Sequence, residues 1–232
     1  MRVVERCGST NDVLLNEGKP GVLLAAQEQT AGRGRRGRRW HSRPGYGLTF
    51  SVSAAIRRPA RELPGLSLVA GVAVARALRG LGVERAALKW PNDLVVDAAK
   101  LGGILVESRS TFAVIGIGIN CRRDPALERR VRRMVASLDE FITVDPRRVM
   151  RSVARELLVT LSTFEERGLE PLAREWERMH AHDGERLRVR LADGRVLTGI
   201  AAGLEADGAL RLRTRTGMRT VHSGRVLSAR PA

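Results

Sequence analysis

Residues 31–40, AGRGRRGRRW, hold five arginines and three glycines in ten positions. That composition suits one task. Glycines let several backbone N–H groups converge on a phosphate or carboxylate. Arginines cancel its charge with forked hydrogen bonds and shield a reactive phosphoanhydride from water. A loop of this kind is expected to be mobile without its ligand, because like charges repel and glycine costs entropy to order. Other readings of the stretch fail on context. Gly32-x-Gly34-x-x-Gly37 matches the dinucleotide fingerprint, yet Trp40-His-Ser-Arg-Pro follows where a helix is required, and no acid lies about 20 residues on. A phosphate-binding P-loop would need Lys-Ser/Thr after Gly37, where Arg38-Arg39 stand. A single-stranded nucleic-acid arm needs aromatic platforms among its cations, and the chain has only three Trp, one Tyr and four Phe.

The lysines point the same way. Of 41 lysine-plus-arginine residues only Lys19, Lys89 and Lys100 are lysine, and the last two open KWPNDL and KLGGIL. A chain that uses arginine almost everywhere keeps lysine where a compact ammonium with rotatable donors is wanted. Asn92 and Asp93 are also good turn residues, and the glycines of KLGGIL and GIGIN fit a bulge, tight strand packing or close ligand approach.

These residues must be held by secondary structure that the pattern also predicts. Ser9-Thr-Asn-Asp opens a helix. Strands are expected at 21–27, 48–53, 86–89, 94–96, 103–107 and 112–119, the last four as antiparallel hairpins because their returns are short. Helices are expected at 64–79, with Pro first and Gly80 last, and at 147–166 and 171–180. After residue 182 short strands alternate with Ala-Asp-Gly and Thr-Gly turns, the signature of a small barrel-like β module. The expected division is 1–181 and 182–232.

Length and composition bound the rest. At 232 residues with 43 % apolar content the chain can bury a substantial core. It has no unbroken run of about 18 apolar residues and no apolar signal segment, so a membrane partner is not expected. Two distant cysteines, Cys7 and Cys121, fit a reducing cytoplasm and offer no metal framework. The net charge of +16 favours anionic partners, although arginine is spread along the whole chain.

STN at 9–11, QTAGRGRRGRRW at 29–40, KWPNDL at 89–94, KLGGILVE at 100–107 and IGIGIN at 115–120 occur in that order. Together they resemble the catalytic domain of biotin protein ligases, and the β module resembles that family's SH3-like C-terminal domain. The resemblance covers nearly the whole chain. It implies an α+β fold: a class II synthetase-like domain with a mixed, largely antiparallel sheet and flanking helices, plus the SH3-like barrel.

The resemblance also implies a reaction. Biotin and ATP with Mg2+ form biotinyl-5′-adenylate and pyrophosphate. A lysine of a biotin carboxyl carrier domain, by default that of acetyl-CoA carboxylase, then takes the biotinyl group and releases AMP. No tightly bound metal or prosthetic group is implied. Ser9, Thr10 and Gln29 would hold biotin's ring heteroatoms, with Asn11, Gly32, Arg33, Arg35, Trp40, Lys100 and Gly103 completing that site. Arg33, Arg36, Arg38, Trp40, Lys89, Asn92, Lys100, Gly116, Gly118 and Asn120 would line the nucleotide. Lys100 and Arg35 would neutralise the approaching anions. Asp93 would either hold Lys100 or the acceptor amine in place or act as base for that amine. Homodimers are common in the family. With STN only nine residues from Met1 there is no room for the N-terminal helix-turn-helix some members carry, so no specific DNA binding is expected.

Two rivals remain at this level. A lipoate–protein ligase shares the fold and the adenylate chemistry, and an arginine-rich nucleic-acid-binding protein would use the charge alone. His180-Ala-His182-Asp183 looks like a metal pair but lacks further ligands. The segment 122–133, six arginines and two acids, reads as a solvated face or as a segment that closes over adenine.

Overall fold

The computed structural model describes residues 1–131 and 134–231. The chain opens with a strand that the sequence pattern did not reveal, β1 (Arg2–Cys7), because both its faces are largely exposed and no alternation marks it. It continues through helix α1 (Thr10–Glu17) into β2 (Leu23–Gln29), which lies parallel to β1. β3 (Gly47–Ala55) follows the arginine–glycine loop, and the apolar helix α2 (Leu66–Gly80) follows β3. Pro64 sits in a 3-10 turn just ahead of α2, so the helix starts two residues later than the proline suggested. β4 (Ala87–Lys89), β5 (Asp93–Val96), β6 (Ala99–Arg109) and β7 (Phe112–Asn120) form the expected antiparallel run. A short helix α3 (Pro125–Val131) precedes the long helices α4 (Pro146–Arg167) and α5 (Glu170–Arg178). The strands assemble in the order β1-β2-β3-β7-β6-β5-β4.

One face of this sheet carries α2, α4 and α5 and the main core; the other carries α1. Strand alternation sorts residues between the faces. On β7, Ile115, Ile117 and Ile119 are buried in the main core, which turns Gly116, Gly118 and Asn120 to the α1 side. On β3, Leu48, Phe50 and Val52 face the core and Thr49, Ser51 and Ser53 face the other way. The apolar half of each motif thus anchors the strand, and its small or polar half is presented to a site. The stretch Ala60–Gly80 is apolar and long enough to cross a membrane by composition, yet 67 % of its most apolar window is buried inside the fold.

Five further strands, β8 (Arg186–Leu191), β9 (Val196–Leu204), β10 (Leu210–Thr214), β11 (Gly217–Val221) and β12 (Gly224–Arg230), form a second antiparallel sheet ordered β11-β10-β9-β8-β12. Its inner residues Leu187, Val189, Leu210, Leu212 and Val226 join the same hydrophobic cluster as α2 and α5. Trp90 Nε1 donates to the Gly208 carbonyl at 3.2 Å, and the Leu204 amide donates to Glu177 at 2.7 Å. Continuous apolar packing and buried hydrogen bonds therefore join the second sheet to the first.

Candidate active site

Between the sheets, on the face away from α2, lies a cleft of about 410 Å3. Its lining draws on the start of α1, the loop 33–40, β3, the turn 89–93, β6, β7 and the start of β12. The cleft is chemically graded. Ser9, Thr10, Asn11 and Gln29 form a neutral hydrogen-bonding end, with Arg33 held beside Asn11 through Glu107; at the other end Lys100, Arg35, Arg38 and Arg225 gather around Asp93. Among the described residues that line it, Asp93 is the one carboxylate.

At the neutral end the STN signal works differently from a helix cap. Ser9 occupies the N-cap position of α1 but makes no side-chain capping bond. The side chains that follow it are turned into a buried network instead. The Thr10 amide donates to Gln29 Oε1 at 2.7 Å, and Thr10 Oγ1 lies 3.0 Å from the same oxygen. Thr10 Oγ1 is 2.6 Å from Ser51 Oγ, which donates to Asn11 Oδ1 at 2.6 Å. Asn11 Nδ2 donates to Glu107 at 2.8 Å. A buried network this fully partnered is rigid and fixes which lone pairs and donors face the cleft.

The arginine–glycine loop is a tight hairpin. Trp40 N–H donates to Gly32 O at 2.9 Å and Gly34 N–H to Arg38 O at 2.7 Å. At its tip Arg36 and Gly37 both take positive φ, 58° and 69°, the kind of turn that aims successive amides in one direction. Gly32 does not line the cleft itself; a Cβ there would stand 2.8 Å from the Trp40 carbonyl. Arg33 is drawn to Glu107 (2.9 Å) and to Asp12. Arg36 reaches Ser223 at 3.2 Å. Burial first, and then Arg36, push the Arg35 guanidinium below its ordinary value, while Asp93 opposes them; it stays charged, as guanidinium does in proteins.

Lys100 pairs with Asp93 across the β5–β6 hairpin. The ladder is irregular there: Leu94 pairs with Gly102 but Val95 with Lys100. That bulge places Lys100 and Gly103, three residues apart, on the same side of the strand. A Cβ on Gly103 would lie 3.1 Å from Lys100 Nζ, so the glycine leaves the ammonium room to swing. Gly116 makes room for Asn11, and Gly118 for the Trp40 indole, which any side chain on either glycine would strike. These glycines accommodate the protein's own site residues.

Two expected nucleotide residues hold backbone in place. Asn92 Nδ2 donates to Ile104 O at 2.6 Å, locking the turn that carries Asp93. Asn120, outside the main cleft, donates to Lys100 O at 3.1 Å and to Ala136 O at 3.0 Å. It borders a smaller cavity shared with Trp40, Tyr46 and Leu127 of α3. Arg122, Arg123, Asp124, Leu127 and Glu128 of the basic segment help line that cavity, whereas Arg132 and Arg133 fall outside the described residues.

Sequence reasoning missed Thr49, Glu107 and Arg225. Thr49 accepts from Trp40 Nε1 at 3.4 Å, and the strand alternation around LTFSVS could have indicated it. Glu107 closes the quoted motif KLGGILVE but carried no role. Arg225 comes from the far end of the chain, and no local signal connects it to the cleft.

The chain matches the model of the biotin/lipoate A/B protein ligase family over residues 3–124, and that of the biotin protein ligase C terminal domain over 182–227. It is 37 % identical over 213 residues to the bifunctional ligase/repressor BirA of Escherichia coli, covering 88 % of this chain and 66 % of that protein. The chain therefore spans just under two thirds of that relative's length. It is 35 % identical over 230 residues to the biotin–[acetyl-CoA-carboxylase] ligase of Mycobacterium tuberculosis, covering 94 % and 84 %. Among solved structures, biotin protein ligase from Aquifex aeolicus in complex with biotin and ATP superposes with a TM-score of 0.85 at 29 % identity, covering 99 % of this chain and 98 % of that one.

Proposed function

The chain belongs to the biotin/lipoate A/B protein ligase family, and from that premise we propose that it is a biotin–[acetyl-CoA-carboxylase] ligase, working with biotin and ATP in the reducing cytoplasm. The observation that carries this reading is the grading of the cleft. Its neutral end offers paired donors and acceptors suited to a ureido ring, and its cationic end suits a carboxylate meeting a triphosphate.

In the first step a biotin carboxylate oxygen attacks the α-phosphorus of ATP. The new O–P bond replaces the bond to the bridging oxygen, and pyrophosphate leaves. Two anions must meet, so Lys100 and Arg35 neutralise the ground-state repulsion and the charge that develops on the phosphoryl oxygens. Mg2+ enters with the nucleotide, whose phosphate oxygens and waters are the ligands it prefers; Asp93, the carboxylate of the lining, is engaged with Lys100. Closure of the loop around Trp40 keeps water from the mixed anhydride.

In the second step the amine of the carrier lysine attacks the acyl carbon, the bond to the phosphate oxygen breaks, and AMP leaves. Asp93, whose present partner is Lys100, would hold that amine or take its proton. No covalent enzyme intermediate is needed, and Ser9 acts as a hydrogen-bond partner.

The test is biotin-dependent exchange of pyrophosphate into ATP by wild type and Lys100→Ala. Wild type should exchange, and the variant should fall by about 100-fold or more, the scale for losing a positioned transition-state partner. Lys100→Arg should not restore it, because a planar fork cannot replace a point charge beside Gly103. Exchange with lipoate and not with biotin would retain the chemistry and overturn the substrate.

A further inference from the structure

β3 turns two serines toward the side of the sheet that bears α1, and the fold uses them differently. Ser53 Oγ donates to Lys19 O at 2.7 Å and accepts from the Val22 amide at 3.1 Å, so it holds the turn into β2. Ser51 is fully buried and lies behind the cleft rather than in its lining. Its hydroxyl meets Thr10 Oγ1 and Asn11 Oδ1, both side-chain atoms of the neutral end. The strand register sets Ser51 opposite Gly116, and any Cβ on that glycine would strike Asn11 Oδ1. The space above the glycine thus lets the Asn11 amide come down beside Ser51.

Four oxygens stand in a row here. Gln29 Oε1, Thr10 Oγ1, Ser51 Oγ and Asn11 Oδ1 follow one another at 3.0, 2.6 and 2.6 Å. The two hydroxyls supply two protons for three contacts, because amide oxygens only accept. Neither end of the row can be turned over. Asn11 Nδ2 faces two acceptors, Glu107 at 2.8 Å and Leu105 O at 3.3 Å, and Gln29 Oε1 accepts from the Thr10 amide at 2.7 Å. One contact therefore has no proton. The two shorter separations are those of made O–H···O bonds, and the longest is at their outer limit. Ser51 thus donates to Asn11, Thr10 donates to Ser51, and the gap between Thr10 Oγ1 and Gln29 Oε1 is the one without a proton.

We infer that Ser51 is a positioning residue for biotin: by taking the Thr10 proton it leaves the Thr10 and Gln29 oxygens as a pair of acceptors, and that pair receives a ureido N–H. Both residues line the cleft. The role rests on the ligase reading, which gives these two residues to biotin's ring. Without Ser51 the Thr10 hydroxyl would turn to Gln29 Oε1, which already accepts from the Thr10 amide and would then have both lone pairs occupied. The same polarity sets selectivity. A ring that offers an N–H satisfies the pair. One that offers only sulfur or oxygen there, as the dithiolane of lipoate does, sets lone pairs against lone pairs, a mismatch that polar sites reject strongly.

The experiment is pyrophosphate exchange by the full-length wild type and Ser51→Ala, with biotin and with two analogues in which one ureido N–H or the other is replaced by a ring oxygen. Wild type should prefer biotin to one of these carbamates by about 100-fold or more in kcat/KM. Ser51→Ala should raise KM for biotin about tenfold and leave kcat and KM for ATP within about twofold. It should also shrink the preference by about tenfold, because the released Thr10 hydroxyl can donate to the ring oxygen. General damage to the site would weaken biotin and carbamate alike, so an unchanged preference in the variant, or none in wild type, overturns the role. A cycle with Thr10→Val checks the route. In that background Ser51→Ala should change KM for biotin by less than about twofold, and full additivity overturns action through Thr10. If Ser51→Ala does not fold, Ser51→Cys, similar in size but a weak donor, decides by the same ratio. Absence of exchange with biotin in wild type removes the ligase reading and this role with it, whereas normal exchange with an unchanged preference in the variant removes this role alone.

Discussion

At the scale of single residues, the site depends on atoms that are missing as much as on those present. Gly116 and Gly118 alternate with core isoleucines on one strand, and the space above each is filled by Asn11 and by the Trp40 indole. Gly118→Ala should therefore act on Trp40. The added methyl should displace the indole, shift tryptophan emission, raise KM for biotin about tenfold, and cost about 1–3 kcal/mol of stability in thermal unfolding, as overpacking does. Unchanged emission and KM would mean that the indole is not held where the cleft needs it. The two glycines were legible in GIGIN as tight packing or close approach, but what approaches them was not. Trp40 lies 78 positions earlier in the chain, and nothing local to β7 identifies it.

At the scale of elements, the loop 31–40 and the strand β6 are coupled through one ion-pair cluster. Arg33 sits between Asp12 at the start of α1 and Glu107 on β6, and Glu107 also accepts from Asn11. The cluster ties the loop to the floor of the neutral end. Limited trypsin digestion of wild type should cut within 31–40 readily when biotin and ATP are absent and slowly when both are present. Glu107→Gln should make the unliganded cut several-fold faster, by weakening a half-exposed pair worth about 1 kcal/mol. Identical cutting of wild type with and without ligand would defeat the role of the loop as a cover, and identical cutting of variant and wild type would defeat the latch. The bulge in β6 is the other device of this scale. KLGGIL was compatible with a bulge, but only the pairing with β5 shows that it turns Lys100 and Gly103 to the same side.

At the scale of the molecule, the two sheets share a junction that is sensitive to acid. His180 stacks on Trp176 with ring centroids 4.6 Å apart, and His182 lies 6.1 Å beyond it. The Nε2 atoms of both are buried, with no hydrogen-bond partner among the described residues. Burial first, and His182 second, push the His180 imidazole down to about 3. His182 is lowered by burial and then by Lys89, with Glu185 opposing. Both are neutral in the fold, and the unfolded chain takes up protons near 6.5. Their contribution is thus present in full above pH 6.5 and is lost as pH falls toward the folded value. For His180 the loss is about 1.4 kcal/mol per pH unit. Thermal unfolding should show Tm falling from pH 7 to 5, with a shallower fall in His180→Phe. An equal fall in both would assign the acid sensitivity to other groups. Of the two histidines whose spacing resembled a metal pair, His180 stacks on an indole and His182 Nδ1 lies 2.9 Å from Glu185, and among the described residues no group of three metal-ligating side chains includes them.

By itself the sequence determined the chemistry and most of the scaffold. Glycine, arginine and scarce lysine at fixed spacings restrict what a site can neutralise, and strand alternation in LTFSVS and IGIGIN already separates core from cleft. Those are local properties, set by backbone geometry and by the charge of individual side chains. Only the tertiary structure decided which remote residues complete the site. Thr49 and Arg225 line the cleft because β3 and β12 converge there, and Glu107 of β6 acts on it from behind, through Asn11 and Arg33. Pairing between distant strands is chosen by burial of the whole apolar face, a sum over the molecule that no local window of the sequence contains.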